Sequence, residues 1–185
     1  MTAYRGPLER IDPDGLDILE ATGAWMAEEK FDGEWVCLHV RDGMIHEAES
    51  RQGLELDSAW WVIDTRLGLG PDSPWSGGHA LHGESMPDAT IRLWDASVIA
   101  GEDLRARPIE YRRHLLEGLH AALPAWARAE LLLAPRWMSD FRARYDEVMA
   151  RGGEGLVVKR RGSSLETRRA DGKCLHWVKV KRGRD

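Results

Sequence analysis

Residues 34–50 place the strongest constraint on the fold, because they have the pattern of a β-hairpin. The alternating segment E-W-V-C-L-H-V (34–40) is followed by R-D-G and then by M-I-H-E-A-E-S (44–50). The Asp42-Gly43 pair tolerates the positive φ angles of a tight two-residue turn. Apolar and alternating runs predict further short strands at 25–30, 79–85, 91–98, 155–160 and 174–181.

A few helices are expected between these strands. Short helices are predicted near Pro13–Ala21 and over Ser58–Leu67, and 70–78 has the composition of a loop. Pro108 can open a helix to about Ala122, with Tyr111, Leu115 and Leu119 on one face. Ser139 can cap another, with Phe141, Tyr145, Val148 and Met149 on one face and Gly152-Gly153 at its end. Strands and helices do not alternate regularly, so we predict an α+β fold with mainly antiparallel sheets.

Length and composition exclude several classes of protein. The 185 residues form one domain-sized unit, predicted to span 1–185, and 43% hydrophobic residues exclude disorder over the whole chain. No apolar run is long enough to cross a membrane, and the first ten residues lack the apolar core of a signal peptide. Two cysteines cannot form a disulfide framework, so we expect a cytoplasmic protein without a membrane partner.

The charge of the chain is unevenly distributed. The formal net charge is -5, but residues 159–184 contain ten Lys or Arg against Glu166 and Asp171. The segment therefore carries +8 and the remainder -13. A basic segment of this kind suggests a phosphate-binding surface, and the alternative is a solvated basic tail.

Three short segments suggest chemistry. In E-E-K-F-D-G (28–33), Lys30 ends a strand, where burial could lower its pKa and make it a nucleophile; Gly33 would let a ligand approach the backbone. In G-G-E-G-L-V-V-K (152–159), Glu154 could hold a divalent metal beside phosphates. In H-W-V-K-V-K (176–181), alternation places Lys179 and Lys181 on one strand face. A surface lysine, and an edge strand kept soluble by Lys, are the ordinary alternatives.

The order of these segments resembles the covalent nucleotidyltransferase superfamily, and within it the ATP-dependent DNA ligases. K-F-D-G matches the nucleophile motif K-x-D-G, and S-R-Q-G (50–53) is similar to the ligase motif S-R-x-G. L-H-G-E-S (81–85) and L-W-D (93–95), with G-E-D-L-R soon after, are similar to the segments that follow in ligases. E-G-L-V-V-K (154–159) and W-V-K-V-K (177–181) match the last two motifs of the catalytic domain, so the resemblance covers nearly the whole chain.

The resemblance implies the ligase and capping-enzyme nucleotidyltransferase fold, ATP and Mg²⁺ as cofactors, and nicked nucleic acid as partner. Lys30 would carry AMP, Glu28 would face the adenine amino group, Arg51 and Glu84 would lie near the ribose, and Trp94 would stack on adenine. The implied catalytic residues are Lys30, Asp32, Lys179 and Lys181. The implied ATP-binding residues are Glu28, Lys30, Arg51, Glu84, Trp94, Lys159, Lys179 and Lys181. Glu154 and Glu84 are the implied metal ligands.

Three features depart from the family pattern. Trp35 stands where the family often has a phosphate-binding Arg, and His82 replaces the usual Asp before Gly83. The sequence ends four residues after Lys181, so we expect no OB-fold domain in this chain. It would then be an excised domain, a minimal ligase, or one half of a two-component enzyme with a separate OB-fold partner.

The alternatives to a DNA ligase are an RNA ligase of the same superfamily and a non-catalytic nucleotide or nucleic-acid binding module. A capping guanylyltransferase is disfavoured, since nothing in the sequence indicates a preference for guanine. The repeated tripeptide C-L-H, at 37–39 and 174–176, would form a zinc site only if its two strands were neighbours.

Overall fold

The computed structural model describes residues 8–166 and 176–181. The strands are β1 (Glu9–Ile11), β2 (Trp25–Lys30), β3 (Glu34–Arg41), β4 (Met44–Ser50), β5 (His79–Ser85), β6 (Ile91–Ile99), β7 (Glu102–Asp103), β8 (Leu131–Leu133), β9 (Arg136–Trp137), β10 (Gly155–Arg160) and β11 (Trp177–Lys181). The helices are α1 (Gly15–Ala21), α2 (Ile109–Ala122), α3 (Ala125–Glu130) and α4 (Phe141–Ala150), and Asp57–Val62 forms a 3-10 helix.

The strands form two sheets. Sheet I has the order β1-β11-β10-β2-β9 and is antiparallel except for the parallel pair β1 and β11. Sheet II has the order β4-β3-β5-β6-β7, again antiparallel, and β8 joins β6 as a parallel strand. The predicted α+β class with mainly antiparallel sheets is confirmed.

Strand alternation decides what lies on each side of the sheets. One face of sheet I packs against α1 and α4 in an apolar core that includes Leu16, Phe141 and Val158. One face of sheet II packs in a second core with Leu116 and Leu119 of α2. The remaining face of each sheet is directed toward the other sheet, and the functional candidates lie on these two faces.

Most of the predicted strands and turns are confirmed. The β3–β4 hairpin turns at Asp42 and Gly43, with φ angles of 52° and 69°, as the sequence predicted. Residues 176 and 177–181 are described, but Cys174 and Leu175 lie outside the described residues, so the start of the strand predicted at 174–181 stays a prediction.

The helix predicted over Ser58–Leu67 is wrong in type and length. The structure has the short 3-10 helix instead, and Asp64, with a φ of 63°, prevents a regular helix from continuing. The strands β1, β7, β8 and β9 and helix α3 had no prediction from the sequence.

Of the face predicted for α2, Leu119 is buried and Leu115 packs against the core, but Tyr111 does not. Tyr111 is 40% exposed, whereas Arg112 and Arg113 are buried beside Leu116 and Leu119. Arg112 donates to both carboxylate oxygens of Asp95 on β6, at 2.8 and 2.6 Å. Each member of the ion pair neutralises the buried charge of the other, so Arg112 can be part of the core.

Helix α4 begins at Phe141, but Ser139 does not cap it. The backbone N–H groups of Asp140 and Phe141 both donate to the Glu20 carboxylate, each at 2.7 Å. A side chain at the end of α1 thus caps the neighbouring helix, which fixes α1 against α4 behind sheet I.

Neither an OB-fold domain nor a membrane-spanning helix was expected from the sequence. None of the strands in 8–166 and 176–181 builds a separate OB-fold barrel. Within the same ranges, every helix is too short or too polar to span a bilayer.

Candidate functional site

A cleft of about 300 Å³ opens between the two sheets. Sheet I contributes Glu28, Lys30, Lys159, Lys179 and Lys181 to its lining. The other side and the rim bring Trp35, Glu84, Trp94 and Arg51. The structure therefore gathers into one cleft all the residues that the family resemblance assigned to ATP binding.

Lys30 is the last residue of β2, where the chain crosses from sheet I to sheet II through residues 31–33. Its ammonium group pairs with the Glu154 carboxylate and donates to the Phe31 carbonyl oxygen at 3.4 Å. Burial lowers the pKa of Lys30, and the nearby negative charges of Glu84 and Asp32 only partly oppose this. A lysine with a lowered pKa loses its proton more easily, as a nitrogen nucleophile must.

Gly33 is required by the packing around it, and its predicted approach to a ligand stays a prediction. A Cβ atom at this position would lie 2.6 Å from the Ser85 carbonyl oxygen and 2.8 Å from the Met86 sulfur. A glycine is therefore needed because the end of β5 passes close to residues 31–33.

Glu28 and Lys159 form a buried ion pair at the floor of the cleft, each 2% exposed. Arg113 of α2 places a guanidinium nitrogen 3.9 Å from Glu28 and donates to the Ala134 carbonyl oxygen at 2.7 Å. Two cations thus hold the Glu28 carboxylate in place. Arg113 was not expected from the sequence, because an arginine in an amphipathic helix is usually a surface residue.

Aromatic rings form a continuous row beside this ion pair. Trp35 stacks on His82, His82 contacts Trp94, and Trp94 meets the edge of Trp177, each with ring centroids 5.8 Å apart. The Lys159 ammonium lies 4.8 Å from the Trp94 ring centroid and 4.5 Å from that of Trp177. Such positions are favourable cation–π contacts. Trp177 had no assigned role, although the alternation that picked out Lys179 and Lys181 puts it on their face.

Glu84 and Arg51 lie at the opening of the cleft. Burial raises the pKa of Glu84 to about 7, and the positive charges of Lys30 and Arg51 only partly counter it. A carboxyl group that titrates near neutrality is typical of functional sites. Asp32 lines the neighbouring groove together with Lys30, so its side chain is close to the proposed nucleophile but outside the main cleft.

Glu154 lies in this neighbouring, wider groove and not in the main cleft. Its carboxylate pairs with both Lys30 and Lys181, and all three side chains are partly exposed. Gly155 follows with a φ of 135°, and a Cβ there would lie 1.9 Å from the Val180 carbonyl oxygen. Only glycine lets β10 run this close to β11 and hold Glu154 between the two lysines.

The basic segment divides into two groups. Lys159, Lys179 and Lys181 line the cleft, whereas Arg160 and Arg161 are exposed. Arg161 also pairs with Glu110 at 3.3 Å. The other five basic residues of 159–184 lie outside the described residues. The predicted phosphate-binding surface thus stays a prediction, and in the described part three of its five basic residues line the cleft.

Only part of the two C-L-H segments can be placed. Cys37 and His39 are on β3, whose partners are β4 and β5, while His176 precedes β11 in sheet I. Cys174 lies outside the described residues. The four-ligand zinc site therefore stays a prediction.

Comparisons with known proteins identify the fold. No family model matches this sequence, and no curated protein matches it. Among solved structures, a mycobacterial DNA ligase D complexed with ATP and MES aligns with a TM-score of 0.65 at 22% identity, over 85% of this chain and 54% of that one. A structure named Pmar-Lig_Pre aligns with a TM-score of 0.70 at 17% identity, over 97% of this chain and 47% of that one.

A third similar structure, from a study of Lig E DNA ligases as minimal DNA-binding scaffolds, gives a TM-score of 0.58 at 16% identity, over 86% of this chain and 62% of that one. The chain thus spans between about half and three-fifths of the length of these proteins. At such identities the likeness concerns the fold. This chain has the nucleotidyltransferase fold of ATP-dependent DNA ligase catalytic domains.

Proposed function

We propose that this chain is the nucleotidyltransferase domain of an ATP-dependent DNA ligase that seals nicks between a 5′-phosphate and a 3′-hydroxyl. One observation carries the proposal: Lys30, with a lowered pKa, lies where the main cleft meets the groove that holds Glu154. Lys179 and Lys181 share the same cleft. A nucleophilic amine beside fixed cations is what attack on a polyphosphate needs.

The proposed reaction has three steps. The neutral Lys30 amine attacks the α-phosphorus of ATP; a nitrogen–phosphorus bond forms, the bond to the pyrophosphate oxygen breaks, and the nitrogen releases a proton to solvent. An oxygen of the 5′-phosphate at the nick then attacks this phosphorus, the nitrogen–phosphorus bond breaks, and the lysine nitrogen takes up a proton from solvent, which leaves a 5′-5′ pyrophosphate. Finally the 3′-hydroxyl attacks the 5′-phosphate, loses its proton, and releases AMP. Lys179 and Lys181 would neutralise the phosphate charge during the first step.

The cleft also suits the base and the sugar of ATP. The Glu28 carboxylate, held by Lys159 and Arg113, would accept from the adenine amino group. The Trp94 ring would stack on adenine, and Arg51 and Glu84 would lie near the ribose. These roles come from the family resemblance and fit the positions of the side chains. ATP is also named for the ligase D structure of the same fold.

The carboxylates of Glu154 and Glu84 fit Mg²⁺, because it prefers oxygen ligands and is usually held by one or two carboxylates. Bound there, it would neutralise phosphate charge and orient the leaving group. On binding the ion, Glu154 would give up its ion pairs with Lys30 and Lys181. Glu84 would bind in its deprotonated form.

Covalent labelling tests the proposal. Protein incubated with Mg²⁺ and ATP should gain the mass of one AMP, and peptide mapping should place it on Lys30. Lys30→Arg keeps the positive charge but removes the nucleophile, so it should bind ATP without labelling, and Lys30→Ala should not label either. Labelling of Lys30→Arg would put the nucleophile elsewhere.

A non-catalytic nucleotide-binding module is the second candidate, and Trp35 favours it. Its ring is 5% exposed and packs on His82, at the position where ligases often have a phosphate-binding arginine. The same labelling experiment separates the candidates. ATP binding by the parent protein without any adenylation would establish the binding module.

Nicked DNA, rather than RNA, is the proposed substrate, with a separate OB-fold protein as a partner and the cytoplasm as the location. DNA affinity of this chain should depend on its positive charges and fall steeply with salt. We expect Arg160→Gln with Arg161→Gln to reduce the slope of log affinity against log salt by up to about 2. Arg142→Gln with Arg144→Gln, on α4 behind sheet I, is the matched control and should leave the slope unchanged.

A sealing assay distinguishes the two substrates, with nicked DNA duplexes in one set of reactions and nicked RNA duplexes in the other. Sealing of RNA alone would assign the RNA ligase instead. An unchanged salt slope in the first double variant would mean that other residues hold the nucleic acid.

A further inference from the structure

Three potential metal-ligating side chains lie together on sheet II, apart from the Glu154 groove. Cys37 and His39 belong to β3 and Glu49 to β4. A sulfur, an imidazole nitrogen and a carboxylate oxygen from these residues all lie within 4.8 Å of one another. None of the three has a role in the proposed reaction.

The hairpin register brings these side chains together. Cys37 pairs with Glu49 across the two strands, and alternation puts Cys37 and His39 on the same face of β3. The His39 ring nitrogen lies 3.0 Å from the Glu49 carboxylate oxygen. Cys37 is only 1% exposed, while the His39 side chain is 37% exposed. The cluster is therefore closed at its sulfur end and open to solvent at its imidazole end.

A second observation concerns His82, a buried polar residue on the same face. His82 pairs with Cys37 from the other neighbouring strand, β5. It is fully buried, and within the described residues neither of its ring nitrogens has a hydrogen-bond partner.

The donor set selects the kind of ion. A thiolate, an imidazole and a carboxylate are ligands of Zn²⁺, whereas Mg²⁺ takes oxygen ligands. Ligand atoms of a tetrahedral zinc site lie roughly 3.5 Å apart, given zinc–ligand bonds of about 2.0–2.3 Å. Small side-chain rotations would bring the present atoms to that spacing.

We propose that Cys37, His39 and Glu49 bind one Zn²⁺ ion, with water at the fourth position on the open side. On binding, the Cys37 thiol loses its proton to solvent and its sulfur bonds to the metal, with no change of oxidation state. The ion ties β3 to β4. β3 begins after residues 31–33, and β4 ends just before Arg51, which lines the cleft. The bound ion would therefore stiffen one side of the cleft. The site does not depend on the proposed ligase activity.

Cobalt spectroscopy on the full chain tests the site. Co²⁺ added to metal-free protein should give a thiolate-to-cobalt charge-transfer band and the visible bands of a four-coordinate ion, saturating at one ion per chain. Zn²⁺ should abolish both, and excess Mg²⁺ should not. Cys37→Ser should remove the charge-transfer band. His39→Ala and Glu49→Gln should each weaken Co²⁺ binding by at least about tenfold.

Two controls separate this site from the others. His46→Ala changes a hairpin histidine whose ring contacts the Arg41 carbonyl oxygen, and should keep the spectrum. Glu154→Gln removes the proposed Mg²⁺ ligand and should also keep it, whether or not the protein adenylates.

A stability measurement guards against variants that fail to fold. Zn²⁺ should raise the Tm of the parent and of His46→Ala, and raise that of Glu49→Gln clearly less. A charge-transfer band that persists in Cys37→Ser, displacement of cobalt by Mg²⁺, or an equal Tm rise in Glu49→Gln would overturn the proposal.

Discussion

His82 should make the protein sensitive to acid. Its burial between Trp35 and Trp94 lowers its pKa from the ordinary value of 6.5 to about 4. The unfolded chain therefore binds a proton at this residue between those two pH values, while the folded protein does not. Stability falls as the pH falls through this window, and the full effect is about 3 kcal/mol.

His82→Phe isolates this effect. Phenylalanine keeps a flat ring between the two tryptophans and removes both the titration and the unpaired ring nitrogens. We expect the variant to be at least as stable as the parent at about pH 7, and to become more stable than the parent by up to about 3 kcal/mol toward pH 4. His82→Leu, with a smaller side chain, guards against overpacking by the larger ring.

The parent alone would not reveal the effect, because Glu84 acts in the opposite direction. Burial raises the pKa of Glu84 to about 7, so the folded protein binds the extra proton at this residue and gains stability as the pH falls. Glu84→Gln should therefore steepen the acid loss that His82→Phe removes.

The measurement is the free energy of unfolding in urea, followed by far-ultraviolet circular dichroism, at several pH values for the parent and each variant. A difference between the parent and His82→Phe that stays constant with pH would refute the reasoning, since it would mean that His82 titrates alike in both states.

Two further predictions concern the cleft. Trp94→Ala should weaken ATP binding by roughly 1–3 kcal/mol in calorimetry, while Trp94→Phe retains most of the affinity; equal affinities for Trp94→Ala and the parent would make Trp94 a core residue only. Gly155→Ala should lower the free energy of unfolding in urea by more than about 3 kcal/mol, because the new Cβ would meet the Val180 carbonyl oxygen at 1.9 Å. Gly152→Ala, where no atom lies within 4 Å, is its control and should cost only about 1 kcal/mol; equal losses would contradict the steric explanation.

The sequence predicted the strands well because their signals are local. The Asp42-Gly43 turn and the alternation of β3 and β11 depend only on adjacent residues. The alternation places Cys37 on the same face of β3 as His39, and Lys179 on the same face of β11 as Lys181. The cleft residues were found through their order along the chain, which reflects a known fold. Their gathering into one cleft needed the pairing of β2, β10 and β11, which no local pattern specifies.

The misses have a common physical cause, which is that long-range partners override local preference. Nothing in the sequence indicated that two arginines lie on the buried face of α2. The burial of Arg112 is favourable because it pairs with Asp95, and that of Arg113 because it lies near Glu28, and both acidic residues are on distant strands. Glu20, rather than Ser139, caps α4 across the same kind of distance. Glu49 joined Cys37 and His39 only through the hairpin register.

The position of β11 between β1 and β10 has a consequence for the order of folding. Sheet I joins strands from both ends of the chain: Glu9 pairs with Val178, a separation that spans almost the whole sequence. During synthesis, β1 and β2 leave the ribosome long before the strand that carries Lys179 and Lys181. Sheet II, whose β3, β4, β5 and β6 follow one another closely, can form early. The nascent chain therefore carries Lys30 before β11 completes the cleft, and the chemistry proposed at that lysine would have to wait until β11 is made.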